Sequence, residues 1–304
     1  MGAPFRYRLF GLTIASDLNL PELETTPSSN PADVHIASKP DAEIGETSAD
    51  PEAIEGVFEI CVGGVASYEI RGGNEIRVAA GPAAEPANVR LYLLGSAMGM
   101  LLHQRALLPL HANAVVIEGR AIAFLGRSGV GKSTLAAWFA DRGFPVVSDD
   151  VCAVHFDGDG QPRLSPGLPR LRLWRDALER SGRSPDDHPP SYSGDPDYDK
   201  FDVALASALP QQVPLAAIVD LRWSDVSCLS RLEGLESVEA LMANTYRGEF
   251  VALLGRQRAH LQSCVDLATA VPVFALERIK GFDRLPGELD RLIAKFGAGD
   301  VETE

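Results

Sequence analysis

The sequence has no CxxC pair. Cys61, Cys152, Cys228 and Cys264 stand far apart, which indicates neither a disulfide framework nor a zinc site and leaves buried thiols in a reducing cytosol as the simplest expectation. There is no run of Lys or Arg either, and 28 basic residues face 42 acidic ones for a net charge of −14. A nucleic-acid face would have to be built against that acidic average, so no such partner is expected. No apolar run is long enough to cross a bilayer, and the first twelve residues lack the apolar core of a signal peptide. The expectation is a soluble, cytoplasmic protein without membrane contact.

What is present is enough apolar material, 45% of 304 residues, to bury a substantial core and divide into two domains. The chemistry starts at 121–134, Ala-Ile-Ala-Phe-Leu-Gly-Arg-Ser-Gly-Val-Gly-Lys-Ser-Thr, an apolar run that opens into GxxxxGKS. Leu135, Ala136, Trp138, Phe139 and Ala140 follow at helical spacing, so the motif lies between a strand and a helix. Gly126, Gly129 and Gly131 free the backbone to turn successive N–H groups toward phosphate oxygens, and the start of the helix adds its partial positive charge. Lys132 supplies a full charge and the Ser133 hydroxyl is the expected Mg²⁺ ligand. Gly126, Arg127, Ser128, Gly129, Val130, Gly131, Lys132, Ser133 and Thr134 are therefore assigned to the phosphates of a nucleotide.

Spacing brings three more groups toward this loop. Residues 110–117, Glu118-Gly119-Arg120 and 121–125 read as a hairpin whose second strand feeds the loop. With the turn centred on Gly119, Gly126 lies seven residues after it and Ala112 seven before, so His111 falls beside the loop's mouth. Downstream, a helix over 132–142 rises about 16 Å and the apolar stretch 144–148 returns about the same distance. Asp149 and Asp150, which end that return, are thus expected near Ser133, where a metal ligand and a base are needed.

The rest is scaffold with a few candidates. Short β-type runs at 7–14, 34–37, 57–62, 66–70 and 75–79 describe a β-rich first part, with Gly-Gly at 63–64 and 72–73 marking reversals and a loop-rich stretch at 25–51. Residues 86–104 carry a broad apolar stripe at helical spacing, with Met98 and Met100 as core filling. Residues 164–210 look irregular apart from a short helix over 173–180, and 181–200, dense in Ser, Pro, Asp and Tyr, read as an exposed loop or lid. Helices over 238–244, 258–268 and 288–296 alternate with strands over 215–221 and 271–276, as in an α/β domain. His188, Lys200, Arg222 and Arg247 are polar side chains in or near these segments that could meet a substrate, and solvation is the ordinary fate of each.

With His111, the loop at 126–133 and the Asp149-Asp150 pair in hand, the chain resembles the HPr serine kinase/phosphorylase family, whose kinase domain keeps the same order of parts, and the related phosphoenolpyruvate carboxykinases. The resemblance covers about 110–156 well. It implies an α/β P-loop kinase domain of that type over 106–304, preceded by a smaller β-rich N-terminal domain over 1–105 that ends in a boundary helix. It implies that Lys132 and Ser133 hold ATP and Mg²⁺, that Asp150 joins the metal site, and that Asp149 takes the proton from an attacking serine hydroxyl with His111 beside it. The family's EIRG-type segment is absent after the aspartates, where the chain reads Arg170-Leu171-Arg172-Leu173-Trp174-Arg175, and Glu69-Ile70-Arg71-Gly72 comes too early to serve. Phosphorolysis and the HPr substrate are therefore not carried over. The opening Tyr7-Arg8-Leu9-Phe10-Gly11-Leu12 with Leu20-Pro21-Glu22-Leu23 looks like HPr-kinase-related proteins of peptide-modification systems, some of which phosphorylate a lasso-peptide precursor. The acceptor implied is a serine of a peptide or small protein, and the family is often a homo-oligomer. A nucleotide-sensing protein without catalysis and a small-molecule kinase stay open as alternatives.

Overall fold

The computed structural model describes residues 5–27, 31–39, 52–54, 56–195, 197–205 and 209–297. Much of the loop-rich stretch at 25–51, namely 28–30 and 40–51, lies outside the described residues. Among the described residues no helix is long and apolar enough to cross a membrane.

The first part builds a seven-stranded sheet from β1 (Phe5–Leu9), β2 (Leu12–Ser16), β3 (Val34–Ser38), β4 (Glu52–Ile54), β5 (Val57–Val62), β6 (Ala66–Arg71) and β7 (Glu75–Ala80), in the order β1-β2-β3-β7-β6-β5-β4. The run 7–14, expected as one strand, is a hairpin. Phe10 (φ 52°) and Gly11 (φ 77°) are both left-handed, as a two-residue reversal requires, and Leu9 pairs with Leu12 across it. A phenylalanine at positive φ is uncommon, which is why the reversal is hard to see in the sequence. Phe10 N–H donates to the Pro166 carbonyl at 3.0 Å, a contact to the distant part of the chain that helps hold this conformation.

The apolar stripe at 86–104 forms α1 (Pro86–Tyr92) and α2 (Met98–Gln104), joined without a break by a π-helical turn, Leu93–Ala97. Pro86 starts α1 where a missing N–H costs nothing. Leu93, Leu94, Met98, Met100, Leu101 and Leu102 pack into the core of the first sheet, and Val151, Ala153 and Phe250 from the later chain enter the same core.

The second sheet has nine strands. β8 (Leu108–Leu110), β9 (Asn113–Ile117), β10 (Arg120–Leu125), β11 (Val146–Ser148), β12 (Cys152–Phe156) and β13 (Pro162–Ser165) precede the separate hairpin of β14 (Arg170–Trp174) and β15 (Lys200–Ala204). The sheet is completed by β16 (Val213–Trp223), β17 (Cys228–Leu232) and β18 (Val273–Arg278). Its order is β11-β9-β10-β16-β13-β12-β8, with β18 also on β16 and β17 on β18. β10, β16 and β18 run parallel, so their carboxyl ends open at one edge.

β10 shows why this part is α/β. Its side chains alternate between two cores. Ile122 and Phe124 meet α3 (Lys132–Asp141) and α8 (Leu285–Gly297) through Leu135, Phe139, Leu289 and Leu292. Ala121, Ala123 and Leu125 meet α5 (Leu235–Ala243) and α7 (Gln257–Ala270) through Val238, Leu241, Cys264 and Leu267. Phe124 stacks on Phe139 at 5.7 Å, and truncating such a buried ring costs about 3–5 kcal/mol.

Two local expectations are corrected. Residues 173–180 are not one helix: Leu171 and Leu173 alternate with exposed or half-buried neighbours in β14, and only Arg175–Arg180 is helical, as α4. The stretch 181–200 contains a short 3-10 turn, Pro185–Asp187, and is fastened to the body rather than left as a free lid, since Asn88 and Ser193 exchange two hydrogen bonds. Of the cysteines, Cys152 and Cys264 are buried and Cys228 is exposed.

Candidate functional site

The loop between β10 and α3 depends on its glycines. Gly126 has φ 132°, and a Cβ there would lie 2.7 Å from the Leu221 carbonyl of the neighbouring parallel strand. Gly129 (φ 81°) and Gly131 (φ 92°) are left-handed, and Gly131 ends the loop as the residue before α3. Lys132 is 7% exposed, and its ammonium donates to the Gly126 carbonyl at 2.6 Å and the Arg127 carbonyl at 3.4 Å. Burial pushes its pKa down, and the charges of Asp150 and Asp149 pull in the opposite direction. Val130 packs into the core while its carbonyl accepts from Arg278 at 3.2 Å. Arg278 is in turn held by Glu288 at 2.8 Å. The loop is therefore braced from below as well as shaped by glycine.

His111 reaches the loop through the expected register. β9 and β10 pair from Ile117↔Arg120 to Asn113↔Phe124, and continuing that register by two residues sets His111 opposite Gly126. The pairing itself stops at Asn113, and Asn244 fills the gap. His111 N–H donates to the Asn244 carbonyl at 2.7 Å, and Gly126 N–H donates to Asn244 Oδ1 at 2.9 Å.

The two aspartates stand at the same end of the sheet. Asp149 is 7% exposed; its Oδ1 accepts from the Ser133 hydroxyl at 3.1 Å and Asn113 Nδ2 at 2.6 Å, and its Oδ2 from the Arg172 N–H at 2.6 Å. Burial, and then the charge of Asp150, raise its pKa despite those donors. Asp150 adopts φ 75°, and its carboxylate meets His111 Nδ1 at 3.2 Å and Arg172 Nη1 at 3.6 Å. Burial alone would raise Asp150, but the His111 hydrogen bond and the Arg172 charge outweigh it and hold the group well below the usual carboxylate range. Strain at a non-glycine residue in this conformation costs on the order of 1–3 kcal/mol and concentrates at functional sites.

Two clefts meet here. One, of about 430 Å³, runs from Ser128, Gly129 and Lys132 past His111 and Asp150 toward Trp223 and Phe282. The other, of about 420 Å³, lies between α1, the turn at Phe10 and the side chains of Tyr192, Asp195 and Tyr198, and reaches Asp149 and Asp150. Asp150 and Arg172 line both.

The structure thus brings together His111, Lys132, Ser133, Asp149 and Asp150. Ser128, Gly129, Gly131 and Thr134 line the first cleft with His111, Lys132, Ser133 and Asp150, while Arg127 is exposed. Lys200 also lines the first cleft, with its ammonium 4.8 Å from the Trp174 ring and its pKa pushed down by burial and by Arg172. Arg247 lines the second cleft and donates to Ser96 Oγ at 2.9 Å. Arg222 turns back on Asp220 at 2.8 Å, and neither it nor His188 lines either cleft. Asn113 and Arg172 were not singled out in the sequence. A lone amide in an apolar strand and the alternation Arg-Leu-Arg-Leu-Trp were the only signals.

The donor set suits a hard divalent cation. Ser133 and Asp150 offer oxygen ligands on one cleft, and among the described residues no group of three His, Cys, Asp or Glu could hold a metal unaided. Mg²⁺ commonly takes one or two protein oxygens and completes its octahedron with phosphates and water. Chemically, the arrangement can hold a polyphosphate against backbone donors and a lysine, and can accept a proton at a carboxylate beside it.

No family model and no curated protein matches the sequence. Among solved structures, the chain is similar to the Hpr(Ser) kinase/phosphatase from Coxiella burnetii, with 15% identity and a TM-score of 0.34 over 63% of this chain and 97% of that one.

Proposed function

We propose that the protein transfers the terminal phosphoryl group of ATP to a hydroxyl, most simply that of a serine in a peptide or small protein. The observation that carries this reading is the convergence of Ser133, Asp149, Asp150 and His111, joined by contacts of 3.1 and 3.2 Å, at the mouth of the glycine loop. A protein that only senses nucleotide has no use for a buried carboxylate of raised pKa facing a second cleft.

In this reading the loop N–H groups and Lys132 hold the β- and γ-phosphates, and the purine lies toward Trp223 and Phe282. Mg²⁺, when bound, neutralises charge building on the phosphates. Ser133 and Asp150 are the residues that would hold it. His111 and Arg172 keep Asp150 ionised and aimed. Asp149 takes the acceptor proton as the new O–P bond forms and the bond from the γ-phosphorus to the ADP oxygen breaks. Its raised pKa brings it nearer to the pH at which a base works well. Positioning and electrostatics supply nearly all the catalysis that such a transfer needs.

The test is incubation with γ-labelled ATP and a serine-centred peptide library, read by mass shift. Phosphopeptide supports the transfer; nucleotide binding with neither phosphopeptide nor phosphate release replaces it with the sensor reading.

A further inference from the structure

The cleft that holds the nucleotide leaves the second cleft without a role. The two clefts meet at Asp150 and Arg172, which line both. An in-line displacement needs its acceptor on the side of the phosphorus away from the leaving oxygen, and Asp149, the proposed proton acceptor, lines the second cleft and not the first.

The walls of this second cleft are built, not incidental. Its floor is apolar: Phe10, Leu91, Leu94 and Leu168. Its outer wall is an aromatic chain in which Tyr92 meets Tyr192 at 6.3 Å, Tyr192 meets Tyr198 at 5.9 Å, and Tyr198 meets Trp174 of the nucleotide cleft at 6.1 Å. Two of these rings, Tyr192 and Tyr198, belong to the connection between α4 and β15, and one residue of α1 fastens it. Asn88, 5% exposed, donates from Nδ2 to the Ser193 carbonyl at 2.6 Å and accepts the Ser193 N–H on Oδ1 at 2.9 Å. Phe10, which lines the same cavity, is held in the left-handed region.

We infer that the second cleft is the acceptor site and that it takes a short, extended peptide whose hydroxyl-bearing residue is flanked by an apolar side chain. The inference rests on the phosphoryl-transfer reading above. The hydroxyl points to Asp149, the apolar flank lies on Phe10, Leu91, Leu94 and Leu168, and the tyrosine edges cover it. A cavity of about 420 Å³ has room for the hydroxyl-bearing residue and such a flank. Asn88 is a positioning residue, acting through the loop it holds.

The experiment uses the full chain, a fluorescent ATP analogue and a synthetic peptide library with a central serine and randomised flanks. The wild type is expected to select peptides with Leu, Ile, Phe or Tyr beside the serine. Asn88→Ala should raise KM for the selected peptide about tenfold while leaving affinity for the ATP analogue within twofold, which also shows that the variant is folded. Tyr192→Ala, which enlarges the cavity without touching the clamp, should shift selection toward bulkier flanks. Phosphorylation without flank preference, an Asn88→Ala KM equal to wild type, or release of phosphate from ATP with no peptide modified would each overturn the acceptor assignment. Failure to bind the ATP analogue at all would instead remove the phosphoryl-transfer reading and the acceptor assignment with it.

Discussion

Gly126 N–H donates to Asn244 Oδ1 at 2.9 Å, across 118 residues of sequence. The same asparagine accepts His111 N–H on its main-chain carbonyl at 2.7 Å. One residue at the end of α5 thus sets both the first glycine of the loop and the histidine opposite it. Asn244→Ala leaves Gly126 N–H without its partner, at a cost of about 1–3 kcal/mol. The expected outcome is a lowered Tm together with a several-fold weaker ATP affinity by titration; unchanged ATP affinity would mean that the loop holds its shape without this tie.

Gly126→Ala tests the loop more severely. The new methyl would sit 2.7 Å from the Leu221 carbonyl at φ 132°, a conformation that L side chains rarely adopt. Thermal denaturation should show a loss on the order of 1–3 kcal/mol. A Tm equal to wild type would show that the loop can move away from β16.

Lys132 is the buried positive charge of the loop, Arg127 being exposed, and its amine rests on the Gly126 and Arg127 carbonyls. Lys132→Ala is expected to lower nucleotide turnover by roughly 10²–10³-fold, the usual effect of deleting one preorganised donor to developing charge. Lys132→Arg should recover little, since a planar fork does not replace a compact ammonium. Turnover within tenfold of wild type in the alanine variant would remove Lys132 from the mechanism.

Asp149 makes stability and activity depend on pH in opposite senses. Burial and Asp150 raise its folded-state pKa above the ordinary 3.8, so the folded protein binds the proton more tightly than the unfolded chain. Stability from this group is fully present below about 3.8 and is lost as pH rises through the raised value. Asp149→Asn lacks that loss. The Tm of the variant minus that of the wild type should therefore climb with pH across the window and then level off. Phosphoryl transfer by the wild type should also climb there, because the base must be ionised to accept a proton. A Tm difference that falls with pH would reverse the sign of the shift.

The site was more legible in the sequence than the parts around it. A glycine loop between an apolar strand and a helix, and a hairpin turned at Glu118-Gly119, fix distances by counting residues, and His111 and the aspartates stand where the counting puts them. Asn244 and Arg172 could not be found that way, because their place depends on how α5 and the β14–β15 hairpin pack on the second sheet. The Phe10-Gly11 reversal was hidden for a different reason: its first residue has strand propensity and is held at positive φ by surrounding structure. The 181–200 segment misled through its composition. It is polar and rich in proline, yet Asn88 and the aromatic chain from Tyr92 to Trp174 tie it down.

The most direct test of the central claim is a single-turnover experiment with γ-labelled ATP and a serine peptide, run on wild type and Asp149→Asn with ATP affinity measured alongside. The account predicts labelled peptide from the wild type, and from the variant a rate lower by at least about 10²-fold with ATP bound about as tightly. Label transferred at the wild-type rate by Asp149→Asn would contradict it.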